Sequence, residues 1–524
     1  MKNNIYSLMI LCIWSLIGCE RAIIPPRDSL IIGNGAEPQS IDPHKCTGVP
    51  GIRIIGALFE GLVTRCQERG GICPGIAKSW NTSIDKKKYT FHLRKSLWSD
   101  GTPVTSKDFV NSWRRLLNPE TGAEYASLLN IVIQGEEIIN GMVPPASLAV
   151  FAPNDSTFIV NLKAPIPYFL HLCAFEPLFP VPGEIISKYK EKWTSPAHLV
   201  SNGPFSLSHW QPNKNMVLKK NPLYWDVKKV KLDKVELLPI EHEETAYKMF
   251  LNGEVDWLFT IPLGKVDIAK KMREYHNTPL YGVYYYALNV THPKLQSPDL
   301  RKALAFSIDR KKLVKYVTKG GEIPATGFVP VSADIPYAGF NRNLYNQDSA
   351  LFYLHRAGFS KQFPPPKLSI LYNTTEGHKK IATAVSQMWK EQLGIEIELL
   401  NYEWKVFLQS TKNLKHNIAR ASWIADYPDP YSFLELAISD NGNNRTGYNN
   451  PVYDACMEKS RTMSDQYQRM KQLLLCETLL MEDMPVIPVY FYASNELRST
   501  SIKNAIPNTM GLYAWKHLSF GTDK

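Results

Sequence analysis

Two segments of the chain begin with residues spaced as in known catalytic motifs. The run Gly-Asn-Gly at Gly33 starts like a dinucleotide-binding loop, but Pro38 occupies the position where a third glycine must approach the phosphates. The run His-Glu-Glu at His242 starts like a zinc-protease helix, but Ala246 replaces the second metal-binding histidine. A phosphate-binding loop and a G-x-S-x-G nucleophile motif are also missing from the sequence. The sequence therefore predicts a protein that is not an enzyme and has neither metal nor cofactor.

Asp426 is the residue whose setting best suits a binding role. It lies in the apolar and aromatic run Trp-Ile-Ala-Asp-Tyr that begins at Trp423. A carboxylate in such low-dielectric surroundings can form a strong, charge-assisted hydrogen bond to a cation. The run Pro-Asp-Pro that begins at Pro428 supports a different interpretation, in which Asp426 is an ordinary turn residue. From the residues alone, the turn interpretation is favoured.

The clearest structural unit near these residues spans 367–401. Residues 368–372 read as a strand, a polar turn follows, and residues 395–400 read as a second strand. Between them, apolar residues at helical spacing mark one face of a helix that ends at Gly394: Ile381, Val385, Met388, Trp389 and Leu393. A strand, helix and strand of these lengths predict a parallel βαβ unit. The fold class is therefore mixed α/β with several sheets.

Three shorter patterns add to this assignment. Residues 30–32 before Gly33 and the alternating run at 89–93 predict strands. Residues 108–117 have apolar side chains at helical spacing and predict a helix that stops at Pro119.

The N-terminus has the pattern of an export signal. Residues 1–4 carry one positive charge, and residues 5–17 are almost wholly apolar, which suits a signal peptide better than a membrane span. The run Leu-Ile-Gly-Cys that ends at Cys19 resembles a lipoprotein cleavage box. We therefore expect residues 1–18 to be removed and Cys19 to be lipidated, which anchors the chain to a membrane outside the cytoplasm. An ordinary signal peptide and an uncleaved anchor are the alternatives.

The composition describes a large globular protein with a basic surface. The length of 524 residues corresponds to about three domains, and 44% hydrophobic residues are ample for a core. The formal charge is +11, but lysine and arginine are scattered apart from short clusters such as 86–88. This pattern favours solubility or attraction to anionic lipid over nucleic-acid binding.

Beyond the signal and Cys19, six cysteines remain. Disulfides are permitted outside the cytoplasm. Cys66 and Cys73 flank a Gly-Gly turn, so a bridge across a hairpin is one candidate. The other cysteines are Cys46, Cys173, Cys456 and Cys476, and the sequence leaves the pairing of all six open.

A series of ordered landmarks runs over nearly the whole mature chain. These are SIDPHK at 40–45, LFEGL at 58–62, AKSW at 77–80, YTFHLR at 89–94, WSDGTPV at 98–104, NGPF at 202–205, NPLYW at 221–225, RKAL at 301–304, WIADY at 423–427 and PVY at 488–490. In this order and spacing the chain resembles the periplasmic oligopeptide-binding proteins, the peptide-binding subunits of ABC importers.

The resemblance implies a bilobal periplasmic-binding-protein fold with an extra third domain. One lobe would comprise 19–57, 176–278 and 494–524, the small domain 58–175, and the other lobe 279–493. The lobes would close around a ligand by a hinge motion. The implied function is to capture short peptides by their termini and backbone, outside the cytoplasm, and to deliver them to an ABC permease. We expect a monomer.

The resemblance also assigns site residues, and it reverses the assignment of Asp426. The family's aspartate for the peptide amino group falls on Asp426. Strand addition, which pairs main-chain groups without reading side chains, is implied for three residues: Ser422, Trp423 and Ile424. Val49 would contact the peptide from the opposite lobe, and Tyr125 would contact it near its amino end.

Three further residues, together with Trp423, match family positions that meet the carboxyl end of the peptide or line its side-chain pockets. Arg420 and His378 match positions that meet the peptide carboxylate, and an arginine can bind it with two donors. Trp404 and Trp423 match family residues that form the walls of pockets for the side chains of the peptide. Taken alone, all four would be read as surface, loop or core residues.

Two departures from the family pattern leave the ligand open. Thr47 stands where a glutamate is found, and Thr411 stands where an arginine would help to hold the carboxyl end. Glutathione or a cell-wall peptide, a nickel complex and haem are alternative ligands for the same scaffold. An enzyme or an adhesin is a third class, for which the sequence offers neither a reactive constellation nor adhesive repeats.

Overall fold

The structure is a computed structural model that describes residues 29–66 and 71–521. The predicted signal at 1–18 and Cys19 lie outside the described residues. The strands are β1 Leu30–Gly33, β2 Val63–Arg65, β3 Ile72–Pro74, β4 Ala77–Thr82, β5 Lys88–Leu93, β6 Val150–Asn154, β7 Thr157–Asn161, β8 Phe205–Gln211, β9 Asn215–Lys220, β10 Lys234–Leu238, β11 Trp257–Leu258, β12 Tyr275–Leu288, β13 Ile323–Pro324, β14 Leu368–Asn373, β15 Ile397–Tyr402, β16 Ile418–Ile424, β17 Val486–Arg498, β18 Ile502–Lys503 and β19 Ser519–Phe520.

Helices cover the faces of the sheets. They are α1 Val49–Leu58, α2 Ser106–Leu117, α3 Gly135–Ile139, α4 Phe169–Cys173, α5 Gly183–Tyr189, α6 Glu243–Leu251, α7 Val266–Ala269, α8 Pro298–Phe306, α9 Arg310–Leu313, α10 Gln347–Arg356, α11 Glu376–Leu393, α12 Trp404–Lys412, α13 Tyr431–Leu434, α14 Pro451–Thr462 and α15 Gln466–Asp483. Within 29–66 and 71–521, no helix is both long and apolar enough to span a bilayer. The mixed α/β class is confirmed.

One large mixed sheet extends through most of the molecule. Its strand order is β15-β14-β16-β12-β17-β11-β1-β10-β9-β8, and β13 pairs with β17 off this path. The two long strands β12 and β17 lie at its centre. Near its start, β12 pairs with the end of β17, and further on it pairs with both β16 and the start of β17. The two halves of the sheet are thus joined by strands that belong to both.

The ladder between β12 and β17 has two irregularities, one between Tyr284 and Tyr285 and a longer one that breaks the pairing before Val283. The pairing is regular up to Pro279 and resumes at Val283 with a shifted register. Here β12 passes close to β16, since a side chain at Gly282 would lie 3.0 Å from the carbonyl oxygen of Trp423. The interruption coincides with the boundary at 278/279 that we predict between the lobes. The domain boundaries themselves stay predictions.

A separate four-stranded sheet lies within the predicted small domain. Its order is β4-β5-β7-β6, and α2 packs against it. The helix starts at a capping box, in which Thr105 and Asp108 satisfy each other's backbone N–H groups. Its apolar face is buried, and Trp113 makes an edge contact with Phe158 at 5.2 Å between ring centroids. The helix predicted at 108–117 and the strands predicted at 30–32 and 89–93 are confirmed.

The βαβ unit is confirmed, with one strand displaced. Strands β14 and β15 are parallel, with Leu368 opposite Ile397, and α11 connects them. The second strand begins two residues later than predicted. The reason is that Gly394 adopts a left-handed backbone with φ of 68° and the N–H of Ile395 donates to the carbonyl of Trp389 at 3.3 Å. The residues after the helix are therefore used to end it.

Two disulfides and two free cysteines account for the six cysteines. Cys66–Cys73 joins the residue after β2 to the middle residue of β3, which confirms the hairpin candidate. Cys456–Cys476 joins α14 to α15, a pairing that the sequence left open. The free thiols of Cys46 and Cys173 are buried.

Candidate ligand-binding site

One edge of β16 is open beside the residues predicted to bind a ligand. On one side, β16 pairs with β12 along its whole length, from Ile418 to Ile424. On the other side, β14 pairs only with Ile418 and Ala419. Among the described residues, no strand pairs with the rest of this edge. Strand edges with free N–H and C=O groups are templates for pairing with another chain.

The antiparallel ladder shows which groups face the open edge. The N–H of Ala425 donates to the carbonyl of Tyr281 at 2.9 Å, so Ala425 points its backbone groups at β12. Because these directions alternate along a strand, Trp423 points toward β12, whereas Ser422 and Ile424 point toward the open edge. Of the three residues predicted to pair with a ligand backbone, two are therefore oriented for it. Trp423 can contribute only its side chain, whose indole N–H donates to Ser432 Oγ at 3.3 Å.

Asp426 lies just beyond the end of β16. Its backbone N–H donates to Ser432 Oγ at 3.2 Å, and the nearby hydroxyl of Tyr125 lowers the pKa of its carboxylate. The side chain is half-buried, yet burial raises its pKa to about 7, against the opposing effect of nearby Arg65. A partly buried carboxylate that forms no ion pair within the described residues is suited to receive a cation, and the role of Asp426 in binding stays a prediction.

A buried ion pair that the sequence analysis missed lies near Asp426. Arg65 Nη1 is 2.9 Å from Glu176 Oε1, and the two side chains are 14% and 6% exposed. Both influence the charge of Asp426, Arg65 lowering and Glu176 raising its pKa. The two residues are 111 positions apart, so no sequence spacing could indicate the pair.

A stack of tyrosines, also missed, lies beside Asp426. The rings of Tyr168 and Tyr427 are parallel within 10°, with 4.5 Å between centroids. Tyr168 belongs to the predicted small domain and Tyr427 to the predicted second lobe. The stack therefore joins the two units next to the candidate site.

Arg420 and His378, predicted for the carboxyl end, are brought together by Tyr284. The Arg420 guanidinium donates to Asn373 Oδ1 at 3.4 Å and lies 5.1 Å from the Tyr284 ring centroid. Tyr284 OH and His378 Nδ1 are 3.5 Å apart. Burial and the neighbouring guanidinium both hold the pKa of His378 well below its usual value, so the ring is neutral.

The Arg420 guanidinium also has unused capacity. Its Nε–H is buried without a hydrogen-bond partner, and no carboxylate within the described ranges forms an ion pair with it. A buried cation of this kind is suited to an anionic group of a ligand.

The structure places the two remaining predicted residues at helix starts. Val49 is the first residue of α1 and is 40% exposed, and Trp404 is the first residue of α12 and is 43% exposed. Trp404 stacks on Phe407 at 5.9 Å. Their roles stay predictions. Thr411, by contrast, is buried and donates to the carbonyl of Leu408 at 3.0 Å, so it offers nothing to a ligand.

Acidic, histidine and cysteine side chains do not cluster as metal ligands do. In the part of the chain that the structure describes, no group of three or more such residues could hold a metal ion.

Comparison with known proteins places the chain in a family. Residues 71–445 match the model for the middle part of the bacterial extracellular solute-binding proteins, family 5. Over 512 residues the chain is 36% identical to the periplasmic oligopeptide-binding protein OppA of Escherichia coli, covering 94% of this chain and 93% of that protein. The chain belongs to family 5 of the bacterial extracellular solute-binding proteins. This is a family of binding proteins, and the prediction that the chain is not an enzyme is confirmed by membership.

Two solved structures of related proteins resemble this structure to different degrees. Haemophilus influenzae OppA in complex with the peptide RPPGFSPFR superposes with a TM-score of 0.86 at 34% identity, covering 94% of this chain and 99% of that chain. The unliganded open form of the murein tripeptide-binding protein MppA, also 34% identical, gives 0.73 and covers 94% and 98%. At equal identity, the better match is to the peptide complex. The structure therefore resembles the peptide complex more than the open form, and the predicted bilobal fold is confirmed.

Proposed function

We propose that this protein captures short peptides outside the cytoplasmic membrane and delivers them to an ABC permease. The observation that carries the proposal is the open edge of β16, which has a lone carboxylate beyond one end and a lone guanidinium near the other. Asp426 and Arg420 are six positions apart, which is about 20 Å along a strand. An extended peptide of about three to five residues spans this distance, given the reach of the arginine side chain.

Each predicted residue then has a physical role. Asp426 receives the peptide ammonium group, with Tyr125 holding its carboxylate. The backbones of Ser422 and Ile424 pair with the peptide backbone, and Arg420 with His378 meets the carboxylate. Trp404, Trp423 and Val49 provide apolar walls. A deep, lone carboxylate favours a ligand with a free amino group over a nickel complex or haem. We expect the protein to work as a monomer.

Acetylating the amino group of a ligand tests the proposal. A tripeptide with a free amino group should bind about a hundredfold more tightly than its acetylated form, because acetylation leaves Asp426 buried without a cation. Isothermal titration calorimetry measures both affinities. The matched control is amidation of the carboxyl end, which should act through Arg420 and leave the effect of acetylation intact. Equal affinities for the free and acetylated peptides would refute the proposed polarity of binding.

We further propose that the mature chain is anchored to the cell envelope through lipid on Cys19. The support is the position of this cysteine directly after the apolar run of the signal. Cys19→Ser should move the protein from the membrane fraction to the soluble fraction of cells. Cys46→Ser, which alters a buried thiol, is the control and should remain in membranes. Membrane retention of the Cys19 variant would rule out this anchor.

A further inference from the structure

The hairpin between β4 and β5 ends in an exposed turn that combines apolar and basic side chains. Ile84 is 104% exposed, so its side chain packs against no other described residue. Lys86, Lys87 and Lys88 follow it, and all three are exposed. A fully accessible aliphatic side chain and three lysines thus form one small surface, residues 84–88, which we call the hairpin tip.

Hydrogen bonds hold the hairpin tip in one shape. The N–H of Lys86 donates to the carbonyl of Ser83 at 2.9 Å, and the N–H of Lys88 donates to Ser83 Oγ at 2.9 Å. Ser83 Oγ in turn donates to Asp85 Oδ1 at 2.5 Å. Ile84 is therefore presented at a fixed place, and little conformational entropy is lost when a partner binds the tip.

The base of the hairpin is joined to the core of the predicted small domain. Thr82 of β4 pairs with Tyr89 of β5. Tyr89 is buried and packs against Phe169, with 4.6 Å between ring centroids. The tip therefore projects from a packed sheet. None of the residues predicted to bind ligand lies between 82 and 89.

The charge of the hairpin tip is positive and not neutralised by its surroundings. Three lysines against one acid, Asp85, leave a net charge of +2 on residues 84–88. Across 29–66 and 71–521, none of the three lysines forms an ion pair. The acids of the neighbouring loop, Glu136 and Glu137, are already paired with Lys163, at 3.0 and 3.4 Å. The tip therefore attracts an external anion.

The small size of the tip favours a membrane over a protein as its partner. Stable protein interfaces bury about 800 Å² on each side and are depleted in lysine. The tip is a single turn of five residues, three of which are lysines. A fluid bilayer closes around such a projection, and each lysine near an anionic surface strengthens the attachment about fivefold.

We propose that the hairpin tip is a membrane-contact site that binds anionic phospholipid. The side chain of Ile84 enters the boundary between head groups and acyl chains, and the lysines reach the surrounding phosphates while their aliphatic stems lie along that boundary. This contact goes beyond peptide capture and does not depend on it. It supplements the lipid proposed on Cys19, because a basic patch strengthens an attachment that one signal alone makes only marginal.

Vesicle sedimentation with the Cys19→Ser protein tests the site in the absence of the proposed lipid anchor. The protein should bind vesicles made of equal parts phosphatidylglycerol and phosphatidylcholine but not vesicles of phosphatidylcholine alone, and added salt should weaken the binding. Replacing the three lysines of the tip with glutamine should reduce the partition coefficient about a hundredfold. Ile84→Ser should reduce it about tenfold.

The matched controls make the same changes on another part of the surface. Ile323→Ser alters an isoleucine that is 51% exposed. The charge control replaces three exposed lysines with glutamine: Lys311, Lys312 and Lys315. Both controls should bind vesicles nearly as the parent does. Equal losses in the controls and the tip variants, or equal binding to the two kinds of vesicle, would overturn the assignment.

A fluorophore on the Ile84→Cys variant gives an independent check. The free thiols of Cys46 and Cys173 are buried, so an environment-sensitive label reacts at the introduced position. Its emission should shift to the blue on the anionic vesicles and stay unchanged on phosphatidylcholine. An unchanged emission on both would contradict insertion of the tip. If the vesicles do not bind the protein, yet the tip variants are lost from cell membranes, the partner is a membrane protein and the lipid assignment is wrong.

Discussion

Asp426→Asn should reduce the affinity for a free tripeptide by about a hundredfold or more. The variant keeps the shape of the side chain and removes its charge, so the ligand ammonium loses its partner in a space where water cannot fully replace it. Calorimetry with the free and the acetylated tripeptide makes the result specific: the variant should no longer distinguish them. A variant that binds the free peptide as the parent does would exclude Asp426 from ammonium binding.

The same variant should not destabilise the ligand-free protein. Burial raises the pKa of Asp426 from 3.8 to about 7, so ionisation of this group opposes folding. This opposing contribution is absent below about pH 4 and complete above about pH 7. At pH 8, Asp426→Asn should therefore melt at the same temperature as the parent or higher, and the difference should shrink at pH 5. A lower melting temperature at pH 8 would mean that the carboxylate is structural.

Asp429→Asn should have the opposite effect, with a large loss of stability. Arg469 donates to both carboxylate oxygens of Asp429, at 2.7 and 2.9 Å, and the two side chains are 0% and 5% exposed. Removing one partner leaves a fully buried, uncompensated charge, which costs about 3 to 5 kcal/mol. Urea unfolding at pH 7 measures the free energy of unfolding for both variants.

The control for Asp429 is the double variant with Arg469→Met. Without either charge, nothing is left buried and unpaired, so the double variant should be more stable than Asp429→Asn alone. If Asp429→Asn unfolds at the same urea concentration as the parent, the ion pair is not a structural element. Two aspartates three residues apart thus test binding and folding separately.

Local patterns of the sequence predicted much of the fold. The spacing of Ile381, Val385 and Trp389 predicted α11, because an apolar stripe at helical spacing has to face a core. Glycine at 394 predicted the end of that helix. The start of β15 was misplaced by two residues, since periodicity does not reveal how many residues a helix end consumes.

Prediction of the site residues depended more on the family resemblance and on the strand register than on local patterns. The residues around Asp426 favoured a turn over a binding residue, because burial of a carboxylate depends on elements distant in sequence. The pairing of Arg65 with Glu176 and the stacking of Tyr168 on Tyr427 connect such distant elements, so no local pattern contains them. The distinction between Ser422 and Trp423 required the hydrogen-bond alternation, which sequence alone does not fix.

The strands β12 and β17 are shared by both halves of the large sheet. Any separation of the halves must therefore be absorbed as twist within two hydrogen-bonded strands, most easily where their ladder lapses between Pro279 and Val283. A flexible linker would allow the two halves to adopt many relative orientations. Two paired strands restrict the halves to one hinge motion. The residues on the two sides of the cleft therefore return to the same relative positions each time a ligand is bound and released.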